Sequence, residues 1–165
     1  MTAIIVTSGK IRTLQLLTAD ITHIGFGRPD PGWADEFAPP SETVGQTGLV
    51  DTIGYAKVSA RGWLEETVGG DIIIDDVAYD KVAGPTTIGY VEAILPSGEA
   101  EGSANKIGQI GVFGEDVVTD PVGADWALDA DISNPGTLIR IQHVPVYIKL
   151  PNTKLTYLVA LPLLS

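Results

Sequence analysis

Glycine and proline punctuate this chain from end to end and limit the length of any regular element it can form. Nineteen glycines and eleven prolines lie among 165 residues, so punctuation falls at intervals of roughly ten residues. The stretches between are short and rich in Ile, Val, Thr and Tyr, side chains that suit a pleated, half-buried surface. The pattern predicts strands over 2–7, 20–26, 52–60, 71–79, 86–95, 107–113, 137–148 and 155–161. Within 89–95, Val91, Ala93 and Leu95 oppose Tyr90, Glu92 and Ile94, which turns one set toward a core. Residues 10–17 place Ile11, Leu14 and Leu17 three apart, the spacing of a short helix. Near the C-terminus, Pro151-Asn152-Thr153 separates two apolar runs and predicts a hairpin that pairs them. The expected fold is mainly β: an antiparallel sandwich or barrel-like single domain over residues 1–165, with a long proline-rich loop and at most a short helix.

That loop begins where the first apolar run ends. IGFGRPDPGWADEFAPP, residues 24–40, holds four prolines, which neither a helix nor a central strand accommodates. Residues 28–46 present Trp33 and Phe37 among prolines and carboxylates. Stiff backbone and aromatic side chains are cheap to order on binding, so Arg28, Pro29, Trp33, Phe37, Pro39 and Pro40 are candidate protein-interaction residues. Aromatic loop residues also fold back to plug their own sheet, and the sequence leaves both readings open.

Charge narrows the partners. With 21 acidic and 10 basic residues the formal net charge is −11, and no Lys/Arg cluster offers the phosphate contacts that nucleic acid requires. The absence of cysteine removes disulfides, thiolate nucleophiles and cysteine-ligated metals. The N-terminal apolar runs are interrupted by Ser8, Gly9, Lys10 and Arg12, and the C-terminal YLVALPLLS carries Pro162. Neither end is expected to be a signal peptide or a membrane span.

Chemistry is sparse. His23 and His143 each lie inside a strand-like run with no motif serine beside them, and both are expected to be structural. A triad assembled from distant positions has nothing in the sequence to favour it. Asp71, Asp75, Asp76 and Asp80 bracket the apolar residues of one strand as a solvated rim. DADISNPG places Asp129, Asp131 and Ser133 at alternate positions, like a calcium loop. Asn134 then stands where that loop needs glycine, and Arg140 where it needs glutamate, so an Asp- and Asn-rich turn is expected. Gly25 and Gly27 lack the third glycine and the helix of a dinucleotide site. No catalytic residue, metal or cofactor is assigned.

Two segments carry a resemblance. ITHIGFGRPDPGWADEFAPPSE and, further on, YVEAILPSGEAEGSANKIGQIGVFGED resemble a pattern of tailed-phage virion structural proteins. Among these are the N-terminal attachment domains of tail-collar fibre proteins and small baseplate or neck components. The matching residues are Gly25, Gly27, Arg28, Pro29, Trp33, Pro39 and Pro40, then Ile107, Ile110, Gly111 and Phe113. VSARGWLEE, with Arg61, fits the middle of the pattern less closely, and Gln109 replaces a glutamate; about half the chain is covered. The resemblance implies a non-enzymatic virion component, a tail, baseplate or fibre-attachment adaptor working by protein–protein assembly. Its implied partners are tail, baseplate, neck or fibre subunits and further copies of itself, with no nucleic acid and no membrane. Because no fibre shaft follows the terminal hairpin, a separate adaptor is expected rather than a whole fibre. A neck or capsid decoration protein, or a carbohydrate-binding module centred on Trp33, Trp63 or Trp126, is the alternative reading.

Overall fold

Thr7–Asp20 is a fourteen-residue α-helix, α1, longer than the 10–17 stretch the spacing predicts. A computed structural model describes residues 7–74, 76–115, 118–119 and 124–162. The strand expected over 2–7 falls outside the described residues, except for Thr7, which begins α1. Two threonine hydroxyls bond back along the helix, Thr13 to Gly9 O at 3.1 Å and Thr18 to Leu14 O at 2.7 Å, sharing the i−4 carbonyls that the helical ladder uses. The C-terminal end is held from outside. Arg61 Nη1 donates to Thr18 O at 3.3 Å and Ala19 O at 2.8 Å, satisfying carbonyls the helix leaves open and placing positive charge at the negative end of its dipole.

The remaining elements are β1 (Ile21–Gly27), β2 (Thr52–Glu66), β3 (Ile72–Ile74), β4 (Val77–Val82), β5 (Ile88–Leu95), β6 (Ile107–Gly114), β7 (Val118–Thr119), β8 (Trp126–Leu128), β9 (Ile132–Asn134), β10 (Thr137–Tyr147) and β11 (Leu155–Pro162), with 3₁₀ turns at Ser103–Asn105 and Asp129–Asp131. The protein is therefore mainly β, and the named ladders are antiparallel. The expected 71–79 strand is instead two: Asp76 takes φ 65°, and the chain reverses between β3 and β4. β7, β8 and β9 were not anticipated, because two or three residues give no readable alternation.

The chain forms two compact units. The first comprises the described residues of Met1–Asp20, Ser59–Glu92 and Leu158–Ser165; the second comprises Ile21–Val58 and Ala93–Tyr157. In the first, β4 pairs with the distal part of β2 from Trp63↔Val82 to Glu66↔Tyr79 and with β3 from Ile72↔Tyr79 to Ile74↔Val77. Leu14, Leu64, Tyr90 and Val91 are buried there, and Leu14 reaches over Gly89, where a Cβ would lie 3.5 Å from its Cγ. In the second, β1 lies between β2 (Phe26↔Gly54) and β6 (Phe26↔Ile110), β10 pairs with the far side of β6, and β8 pairs with the proximal part of β2.

β6 is buried along its whole length, which is why IGQIGVFG reads as an apolar run rather than an alternation. Gly25 and Gly111 face each other across β1 and β6. A Cβ on either would come within 2.7 Å of Phe113 Cε2, so the ring occupies the space two side chains would need. On β5, Val91, Ala93 and Leu95 are fully buried, as the alternation predicts. The C-terminal hairpin requires correction. Its turn exists, with Asn152 at φ 57° and Thr153 N–H donating to Leu150 O at 3.3 Å. The flanking strands do not pair with each other: β10 pairs β6, and β11 pairs β5. After Tyr147 the backbone is diverted into a parallel bridge between Lys149 and Glu101.

Candidate functional site

Residues 28–46 leave β1 through Arg28, which fixes the base of the loop in three directions. Its guanidinium donates to Ala104 O, Asp51 Oδ1 and Asn105 Oδ1, each at 2.8 Å, using the fork geometry that lysine lacks. Pro29 then packs closely on β6 at Gly108. A Cβ at Gly108 would approach Pro29 Cα to 2.9 Å, so this glycine permits the close approach of two backbones.

Two aspartates shape the crest. Asp30 Oδ1 accepts from Gly32 N–H at 2.7 Å while its carbonyl accepts from Trp33 N–H at 3.0 Å. Asp35 repeats the device on Phe37 N–H at 2.8 Å and Ala38 N–H at 3.3 Å. These are Asx turns, in which a short carboxylate replaces the backbone partner a turn would otherwise need.

The loop closes onto the outer edge of β10, with His143 as its peg. The imidazole lies 4.9 Å from the Trp33 ring, centroid to centroid. Its Nδ1–H donates to Pro40 O at 2.7 Å, leaving Nε2 to accept from Gln46 Nε2 at 3.3 Å, the tautomer these partners require. The His143 backbone N–H donates to Glu42 Oε1 at 2.7 Å, and Val146 N–H donates to Glu36 O at 2.9 Å. Glu36 Oε2 also meets Lys106 Nζ at 2.7 Å. Partial burial pulls the Glu42 pKa upward, but hydrogen bonds from the His143 and Glu42 backbone and the proximity of His143 and Arg140 outweigh it, so the carboxyl is held below its ordinary value. The edge of β10 is thereby covered, a standard way of blunting strand-to-strand association.

The sequence-predicted residues divide by position. Arg28 and Pro29 are half-buried anchors, and Trp33 and Pro40 meet at His143. Pro39 is half-buried and Pro40 exposed. Phe37 is 71% exposed, and Val44 on the same loop is exposed too. The loop therefore packs through its tryptophan and leaves its phenylalanine to solvent.

Other candidates lie elsewhere. His23 and His143 sit on β1 and β10, strands separated by β6. Trp126 packs on Phe26, ring centroids 6.0 Å apart, while Trp63 belongs to the first unit. Asp129 accepts from Tyr55 OH at 3.4 Å, and Asp129–Asp131 form the 3₁₀ turn ahead of β9. Sequence reasoning missed the peg role of His143 and two buried polar anchors. Gln109, fully buried, accepts from Val50 N–H at 2.8 Å. Lys149, only 3% exposed, donates to Glu99 O at 3.1 Å and Glu101 Oε1 at 2.9 Å. The available signal was a polar residue inside an apolar strand, IGQIG, IQHVPV and YIKLP, which burial requires to have a partner.

Against known proteins, a family model described as Baseplate wedge 3 tail fiber network component matches residues 2–160. No curated protein matches the chain.

Proposed function

The chain belongs to the baseplate wedge 3 tail fiber network component family, and on that premise we propose that residues 28–46 are the surface by which it docks on neighbouring subunits. It is a structural component of the phage virion, at the tail and baseplate, and interacts with other virion proteins. The finer reading is a fibre-attachment adaptor comparable to the N-terminal attachment domain of tail-collar fibre proteins. It acts as one domain over residues 1–165, repeated as a homo-oligomer, without catalysis and without binding nucleic acid or membrane. Three strands, β2, β5 and β11, contribute residues to both compact units, in keeping with a single working domain. A net charge of −11 suits selective protein contacts and repels phosphate backbones.

The observation that carries the docking surface is the exposure of Phe37 on a loop whose backbone is already fixed. Burying that ring gains on the order of 2 kcal/mol, and little of this is spent on ordering a loop already held at Arg28, Trp33, Glu36, Pro40 and Glu42. Phe37→Ala should leave the melting temperature of the purified chain unchanged and reduce its copy number in purified particles, measured by quantitative mass spectrometry. Trp33→Ala should lower both, because that ring also packs on His143. Wild-type incorporation of a folded Phe37→Ala variant would refute the docking role.

A further inference from the structure

β3 is three successive isoleucines at one end of its sheet, paired with β4 and, among the described residues, with no strand on its other side. The backbone there is turned outward. Thr67 N–H donates to Ala78 O at 3.0 Å, so Ala78 spends its polar groups on the side of β2. By antiparallel alternation its register partner Ile73 presents N–H and C=O to the free edge. Ile73 is also 64% exposed. Edges of this kind are ordinarily blunted by lysine, proline, a bulge or a covering loop, as β10 is by residues 28–46. β3 is only three residues long, which itself limits pairing at this edge, but it holds no lysine or proline and has no such cover among the described residues.

The surroundings select the occupant. The described residues of 65–80 include Glu65, Glu66, Asp71, Asp76 and Asp80 and no lysine or arginine, and Lys81, next on β4, is already paired with Glu92 Oε2 at 2.6 Å. Two copies joined edge to edge would bring two such segments within a Debye length of about 10 Å, with like charges facing across the new ladder. A second copy is therefore disfavoured and a basic strand favoured. We propose that the free edge of β3 accepts, by strand addition, an extended segment of another virion protein in which apolar residues alternate with lysine or arginine. Backbone hydrogen bonds to Ile73 would set the register, an apolar side chain would cover the Ile73 face, and the basic residues would meet the acidic flanks. The edge shares no residue with the 28–46 loop.

The test uses the full purified chain and a synthetic peptide alternating lysine and valine, with a glutamate–valine peptide as control. Binding is followed by calorimetry, and protection of the Ile73 amide by hydrogen exchange. The lysine–valine peptide should bind, protect that amide and weaken as salt rises from roughly 50 to 300 mM, while the control should not bind. Ile73→Pro, which removes the outward N–H without touching the β4 ladder, should weaken binding at least about tenfold. Ile73→Lys serves the same purpose if the proline variant fails to fold. Phe37→Ala should bind the peptide normally, so failure of the loop reading and failure of this one are distinguishable. Equal binding by a folded Ile73 variant would overturn the proposal. So would no binding at about 1 mM peptide, which would leave the acids as guards of the edge, or a wild-type dimer that Ile73→Pro converts to monomer, which would make the occupant a second copy.

Discussion

His23 should make this protein sensitive to mild acid, by an amount its environment fixes. The ring sits on β1 with register partners Lys57 and Phe113, is 8% exposed, and its Nδ1 has no hydrogen-bond partner among the described residues. Burial, and then the charge of Lys57, lowers its pKa from 6.5 to about 4. The unfolded chain, with the ordinary value, takes up the proton first. Stability is therefore full above the unfolded pKa and is lost as pH falls toward the folded one. At about pH 5 the unfolded histidine is almost wholly protonated and the folded one barely so, which costs about 2 kcal/mol and approaches about 3 kcal/mol below pH 4. His23→Leu replaces the imidazole with an apolar side chain of similar size and removes the titration. Urea unfolding of both proteins at about pH 7 and pH 5, followed by tryptophan fluorescence, should show the wild type losing about 2 kcal/mol more than the variant, or about 1 M in midpoint. Carboxylate titrations are common to both proteins and cancel in the difference. Parallel losses would show that His23 is not held neutral by its site and would refute the reasoning.

Gly54→Ala should destabilise by about 3 kcal/mol, a fall in Tm of roughly 5–10 °C. The new Cβ would collide with Ala127 O and lie 2.5 Å from the Trp126 ring, whereas Gly45→Ala, with nothing within 4 Å, should be near neutral by the same thermal melt. Arg28→Ala should cost about 1–2 kcal/mol and, by freeing the base of the loop, raise the rate of limited proteolysis within residues 28–46. Lys149→Met should raise the Glu101 pKa in an NMR titration, because the Lys149 hydrogen bond, ahead of the Gly98 N–H, now holds that carboxyl below its ordinary value.

The β character of the chain was legible because it is written locally. Punctuation by glycine and proline limits element length, alternation in 91–95 selects a face, and the apolar run of IGQIGVFG marks a strand. The irregular path of residues 28–46 was legible for the same reason, since its four prolines exclude a helix or a central strand; the Asx turns at Asp30 and Asp35 came only with the structure.

What a residue does across forty or a hundred positions was decided by tertiary structure alone. α1 extends to Asp20 because Arg61 meets its last carbonyls, and no pattern within the helix announces that. The pairing of β10 with β6 and β11 with β5, in place of the hairpin, depends on where the chain is carried after Tyr147, not on the turn that follows. Trp33 could dock outward or pack inward on sequence grounds; His143, 110 residues later, supplies the surface it packs on. Propensity and periodicity act through neighbours a few bonds apart and so fix the kind of element. Pairing, capping and exposure depend on which distant groups find one another when the core forms, and only there is it settled that Trp33 is seated while Phe37 and the edge of β3 face solvent.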